Sequence, residues 1–222
     1  MAGSETYLFV PVRSGSVGIV HKNIQTIDGA TLLHRFVRTA LESKAVGNII
    51  IATDNGACFS EAERLSTLYP SVKLYVRSKQ SASHTASTET VLLEWLNSGS
   101  FSGREIICLG QVTSPFISAE AIAAAVSEYK RTGLDQLTVV RGHQFRWGED
   151  GRPANFNLAL RPRRQDWSGE LFETGGFYVS TARRIIDSGV RVTPPVGYVE
   201  VSSIESLEID TLTDLEFSRT VH

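Results

Sequence analysis

The chain has 222 residues, 41% of them hydrophobic and 21% charged, with a formal net charge of -2. That is enough apolar material for one substantial core, and the near-neutral balance excludes bulk electrostatic attraction to nucleic acid or to an anionic membrane. Two cysteines, Cys58 and Cys108, are too few and too far apart for a disulfide scaffold or a zinc cluster, and read as buried thiols.

The first residues have no basic lead. The apolar run Tyr7 to Val12 is too short for a signal peptide or a membrane span, so a soluble, cytoplasmic protein is expected. "TYLFVPV" (6–12) reads as a strand, and 29–44 places Leu32, Leu33, Phe36, Val37, Ala40 and Leu41 at helical spacing. A second strand follows at 46–54, and Ser60 with Glu63 reads as a capping box before a helix ending near Tyr69 and Pro70. Then come a strand at 72–76, a helix over 87–97, a strand at 105–110, a helix at 118–131 and a strand at 136–140. Continuous apolar strands alternating with helices predict an α/β fold with a mainly parallel sheet covered on both faces. Ligands on such sheets bind beyond the carboxyl ends of the strands.

Between 141 and 173 the alternation breaks. Six of the 17 arginines lie from Arg141 to Arg164, with no lysine among them, and "GEDG" and "RPAN" mark turns. Strand-like "GGFYVS", a short helix near "TARRIIDSG", a β-rich "VGYVEVSS" and a terminal helix after Asp210 complete a single domain over 1–222, with 141–175 as an inserted arm.

Four stretches are candidates for chemistry. The loop "VRSGSVGIVHKN" combines glycines with Arg13 and Lys22, a combination suited to a polyphosphate when a helix N-terminus is near. It has neither the Gly-Lys-Ser/Thr close of a Walker A loop nor the G-x-G-x-x-G of a Rossmann turn, and a plain glycine-rich surface loop is its alternative. "GQVTSPF" ends a strand in Gln111 and Thr113, polar groups placed for sugar hydroxyls, or simply a turn before a cap at Ser118. "LEIDTL" puts Glu208 and Asp210 at i and i+2, on one side of an extended segment, a pairing that suits Mg²⁺ or an N-cap. "RPRRQDW" gathers Arg161, Arg163 and Arg164, whose planar forks recognise carboxylates and phosphates, against the alternatives of a solvated run or a nuclear address.

In order and spacing, "VRSGSVGIVHKN", "GQVTSP", "RGHQFRW", "RPRRQDWSGELFETGGFY" and "LEIDTLTDL" resemble the N-acylneuraminate cytidylyltransferases of animal type, over roughly residues 6–217. The resemblance implies a Rossmann-like nucleotidyltransferase fold and transfer of CMP from CTP to a sialic acid, with release of pyrophosphate. It implies that Arg13, Ser14, Lys22, Asn23, Arg77, Ser87 and Thr88 bind the nucleotide. It places Gln111, Thr113, Arg161, Arg163, Arg164 and Gln165 at the substrate, and Asp210 with Glu208 at Mg²⁺. Arg163, Lys22 and Asp210 are then the catalytic residues, and the arm is exchanged across a homodimer. Vertebrate relatives append a phosphatase-like domain, so the chain reads as the catalytic domain alone. Three positions depart from the family's habit: Val17 for lysine, His84 for aspartate and Glu208 for aspartate. They motivate a rival reading, a binding protein of this fold with little turnover. Activation of a deaminoneuraminic or legionaminic acid is the other alternative.

Overall fold

The computed structural model describes residues 5–13, 15, 18–54, 56–83 and 85–221. Strand β1 (Thr6–Pro11) runs between β4 (Asn48–Thr53) and β6 (Ile106–Gly110), parallel to both, and β5 (Val72–Val76) pairs with the far side of β4. β8 (Glu170–Thr181) then inserts antiparallel between β6 and β7 (Gln136–Gly142), and β9 (Gly197–Val201) closes that edge parallel to β7. The order is β5-β4-β1-β6-β8-β7-β9, with one antiparallel strand in seven. A hairpin of β2 (Thr26–Ile27) and β3 (Ala30–Thr31) forms a separate two-stranded sheet.

Helices cover both faces. α1 (Leu32–Glu42), α2 (Ala57–Leu68) and α4 (Ala119–Thr132) bury their apolar stripes in one cluster, whereas α3 (Thr88–Ser98) and α5 (Ala182–Ser188) build the other. α6 (Leu212–Ser218) adds Leu215 to the first. On the second face Trp95 of α3 stacks on Phe9 at 5.0 Å and meets Phe101 edge-on at 4.9 Å. Such aromatic pairs add about 0.5–1.5 kcal/mol each beyond area burial, and here they fix α3 against β1, hence its N-terminus at the strand ends. Cys58 and Cys108 are buried free thiols, and burial pushes the Cys108 pKa up.

Two local expectations need correction. α2 begins at Ala57 behind Gly56, so Ser60 and Glu63 lie inside the helix and cap nothing at its start. Cys58 at its first turn is buried and directs its thiol to the Arg13 carbonyl at 3.7 Å, so the core draws the helix start earlier. The helix expected over 29–44 starts at Leu32, because residues 30 and 31 are taken by the hairpin and Thr31 caps His34 N.

Gly110 ends β6 beneath the site. A Cβ there would meet Phe36 Cζ at 2.2 Å and Leu8 Cδ1 at 3.2 Å, both side chains fully buried. Gly110→Ala is expected to cost about 1–3 kcal/mol through overpacking, read as a fall of several degrees in the thermal midpoint. An unchanged midpoint would mean that Phe36 moves aside freely.

Candidate active site

The strand order reverses between β4-β1 and β6, and a cleft of ≈ 490 Å³ opens there beyond the carboxyl ends of β1 and β6. Its walls come from three places. Pro11, Arg13, Lys22 and Asn23 belong to the end of β1 and the loop after it. Arg77 follows β5, and Ser87, Thr88, Glu89 and Val91 form the start of α3. Gln111, Val112 and Thr113 follow β6, and Arg191 enters from the loop between α5 and β9.

The eight expected residues Arg13, Lys22, Asn23, Arg77, Ser87, Thr88, Gln111 and Thr113 therefore share one polar cleft. Ser14, Val17 and His84 lie outside the described residues. The helix N-terminus at the cleft is that of α3, with Ser87 as its cap accepting from Thr90 N at 3.2 Å. α1 follows the glycine-rich loop in sequence, but the hairpin intervenes and none of its first turn lines the cleft among the described residues.

Each wall is held locally. Asn23 is buried, and its Nδ2 donates to the Arg13 carbonyl at 2.9 Å, tying the two ends of the loop together. Lys22 opens the short 3-10 turn Lys22–Ile24, preceded by His21 in the left-handed region at φ 52°. Arg77 is buried; it donates through a short contact to the Ser81 carbonyl, while its Nε has no hydrogen-bond partner among the described residues. Burial pushes its pKa down, a shift opposed by Asp54. Glu94 of α3 accepts from Ser78 N at 3.0 Å and from the Tyr75 hydroxyl at 3.0 Å, binding the loop after β5 to α3.

At the β8 end the ladder is broken between Leu137 and Val139 of β7, and β8 bulges over residues 174–177. Thr138 Oγ1 fills the gap, sharing a hydrogen bond with Thr174 Oγ1 at 2.7 Å and accepting from Phe177 N at 3.2 Å. The bulge presents the Gly176 carbonyl to Gln111 N at 3.1 Å and Gly175, at φ +70°, to Glu208. A Cβ on Gly175 would sit 2.6 Å from Glu208 Oε1, so both the backbone angle and the carboxylate require glycine there.

Glu208 and Asp210 are exposed on either side of fully buried Ile209, so they do face the same way. Ile209 N donates to the Thr113 carbonyl at 2.8 Å, anchoring this segment to the β6 loop. Lys22 Nζ is 3.0 Å from Asp210 Oδ1. Partial desolvation by neighbouring atoms pushes the Glu208 pKa up, Asp210 adds to it, and Lys22 pulls it back. Two hard carboxylates crowded together fit a divalent cation that takes one or two protein carboxylates and completes its shell with phosphate oxygens. Among the described residues no group of three or more His, Cys, Asp or Glu is placed to hold a metal by itself. The last helix is capped by Thr211 in a capping box with Asp214, which leaves both carboxylates free of that duty.

The arm arginines are placed elsewhere. Arg161 lies over the Phe145 ring at 4.3 Å and the Phe156 ring at 5.3 Å, and Phe145 stacks on Trp167 at 4.9 Å. Arg163 pairs with Asp166 at 2.6 Å in the 3-10 turn Arg164–Asp166, and Arg163, Arg164 and Gln165 are exposed. None of these four lines the cleft of its own chain among the described residues.

Two cleft residues escaped the sequence reading. Arg191 Nε donates to Glu89 Oε1 at 2.5 Å. Burial pushes Glu89 up, but Arg191 and the helix-start hydrogen bonds outweigh it and leave the carboxyl below its ordinary value. No motif joins residues so far apart, and the only local signal was an acidic residue in the first turn of a helix.

Compared with known proteins, residues 8–221 match the profile of the family described as Cytidylyltransferase. N-acylneuraminate cytidylyltransferase B of Danio rerio is 36% identical over 210 residues, covering 91% of this chain and 48% of the relative. The N-acylneuraminate cytidylyltransferase of Oncorhynchus mykiss is 30% identical over 91% of this chain and 46% of its own length. The chain thus spans about half the length of these curated relatives. The solved structure of CMP:2-keto-3-deoxy-manno-octonic acid synthetase complexed with CTP superposes with a TM-score of 0.69 at 15% identity, over 97% of each chain. 4-Diphosphocytidyl-2C-methyl-D-erythritol synthase from Anaerococcus prevotii gives 0.69 at 13% identity, over 97% of this chain and 95% of that one. These two establish the nucleotidyltransferase fold, and the match over nearly all its length shows that the chain belongs to the cytidylyltransferase family.

Proposed function

We propose that the chain transfers CMP from CTP to the anomeric hydroxyl of a sialic acid, an N-acylneuraminate, releasing pyrophosphate. The observation that carries this reading is the convergence of Arg13, Lys22, Asn23, Arg77, Gln111 and Thr113 on one polar cleft at the strand-order reversal. Relatives bearing the N-acylneuraminate name supply the substrate class. CMP-N,N'-diacetyllegionaminic acid synthase of Legionella pneumophila, 25% identical over 92% of this chain, supports a related nonulosonic acid as the second reading.

The chemistry is a meeting of two anions. A weakly nucleophilic sugar hydroxyl attacks the α-phosphorus while the bond to pyrophosphate breaks, so positioning and charge neutralisation supply most of the acceleration. Arg13 and Lys22 offset phosphate charge, and the Nε of Arg77, without a hydrogen-bond partner among the described residues, offers a desolvated donor in the cleft wall. Asn23 holds the loop rather than the ligand with its amide nitrogen, leaving its carbonyl oxygen for a substrate hydroxyl. Gln111 and Thr113 meet sugar hydroxyls at the strand end. Asp210 and Glu208 would hold Mg²⁺, which supplies Lewis-acid stabilisation of phosphate oxygens when bound.

The arm arginines reach a substrate carboxylate only in a partner's cleft. Exposed apolar side chains on the arm support that homodimer, with Trp147 52% and Leu160 77% exposed. No helix among the described residues is long and apolar enough to cross a membrane, and the cytoplasm, or the nucleus through "RPRR", is the proposed compartment.

Incubation with CTP, Mg²⁺ and a panel of nonulosonic acids, each repeated with the other three nucleoside triphosphates, is expected to release pyrophosphate with CTP and N-acetylneuraminate. Silence with every acid, together with retained CTP binding, would favour the binding-protein reading.

A further inference from the structure

One ion pair in the cleft wall has no part in the roles above. Glu89 is the second residue of α3, and Arg191 comes from the loop after α5, 102 positions away. Their side chains are 20% and 25% exposed. The Arg191 guanidinium lies 5.0 Å from the centroid of the Tyr178 ring, and the Tyr178 hydroxyl donates to Glu173 Oε1 at 2.5 Å. Arg191 is thus held at its Nε by Glu89 and by the Tyr178 side chain, whose hydroxyl also hydrogen-bonds it, and it lines the cleft together with Glu89.

The pair is selective by its chemistry. A phosphate needs uncompensated positive charge, whereas Glu89 cancels that of Arg191 and repels a second anion. An apolar group seated on the pair would strip water from both ions and return no hydrogen bond. A trans amide points its N–H and C=O in opposite directions and so satisfies only one half of the pair. A hydroxyl carries donor and acceptor on a single oxygen; it can donate to Glu89 while accepting from an adjacent guanidinium N–H.

We propose that Glu89 and Arg191 form a hydroxyl-recognition site in the cleft, favouring a sugar that presents a hydroxyl there over one that presents an acylamino or hydrogen substituent. The inference rests on the nucleotidyl-transfer reading, since it takes a nucleotide and a sugar acid as the occupants. Both bring hydroxyls. The pair lies against Tyr178 of β8 and beside Ser87 and Thr88 at the start of α3, so the hydroxyl can come from the acid or from ribose, and the assays below distinguish the two sources.

The double variant Glu89→Leu/Arg191→Leu tests this, because it removes both charges together, keeps the volume and leaves no unpaired buried ion. Its thermal midpoint reports retention of the fold. Assays compare deaminoneuraminic acid, which has a hydroxyl where N-acetylneuraminate has an acetamido group, and compare CTP with 2′-deoxy-CTP. The expected result is a fall of about tenfold or more in the kcat/KM ratio of deaminoneuraminic acid to N-acetylneuraminate, with the nucleotide ratio held. A fall confined to the CTP to 2′-deoxy-CTP ratio keeps the hydroxyl site and gives it to ribose. Both ratios unchanged in a folded, active variant overturn the proposal. If the wild-type chain turns over no acid with CTP, the functional reading itself fails and takes this inference with it.

Discussion

Asp210→Ala is expected to lower Mg²⁺-dependent pyrophosphate release by about 10²-fold or more without disturbing the fold. The side chain is 70% exposed, and its one direct ion pair among the described residues is with Lys22. The nearby architecture does not lean on it: Ile209 is anchored through Thr113, and the Asp210 and Thr211 N–H groups both donate to Asp214. Removal therefore leaves α6 capped and the segment in place. It would take one of two carboxylates from the proposed Mg²⁺, which Glu208 alone would hold weakly. It also leaves Lys22 without its carboxylate, so CTP binding is expected to survive while turnover falls. A rise in the Mg²⁺ concentration needed for half-maximal rate, with a thermal midpoint close to wild type, is the result to look for. Asp210→Asn separates charge from size and is expected to behave like alanine. Wild-type metal dependence in both variants would move the cation elsewhere.

What the sequence disclosed and what it hid divide along a physical line. Strands 6–12, 46–54, 105–110 and 136–140 are largely buried runs marked by their apolar continuity, whereas the edge strand 72–76, with Lys73 and Val76 exposed, was marked by its β-rich composition, and the helices between them implied parallel crossovers. The same logic showed β8 only as "GGFYVS" and hid both its antiparallel direction and its first residues, Glu170–Thr174. Its connection from β7 is the arm, which holds no crossover helix, and a strand returning by that route runs antiparallel. Ser60 and Glu63 carried the spacing of a capping box only because positions i and i+3 also recur within any helix; the burial of Cys58 decided where α2 begins. The i, i+2 placement of Glu208 and Asp210 was legible because Ile209 between them is apolar and had to face inward. Glu89 and Arg191 were not, since an ion pair spanning α3 and the loop after α5 leaves no local spacing to read. The arginine cluster was visible as a cluster but not as two functions: Arg161 is committed to aromatic faces, whereas Arg163 forms a surface pair with Asp166.

Arg163→Ala is expected to remove about 10²-fold of turnover, the loss typical of one transition-state charge contact. Stability should scarcely move, because Arg163 is 74% exposed and its partner Asp166 is three residues away, a surface pair worth about 1 kcal/mol at most. Among the described residues the position does not line its own chain's cleft, so under the proposed arm exchange the loss would be felt in a neighbour's. Mixing makes that decisive. When the Arg163→Ala and Asp210→Ala chains are combined and allowed to exchange, half of the dimers are mixed, and in each of those one cleft has an intact Asp210 facing an intact Arg163. Recovery of about a quarter of wild-type activity is expected from that pairing of a two-fold assembly. If Arg163 instead serves the cleft of its own chain, every cleft in the mixture lacks one of the two residues and activity stays at the level of the separate variants.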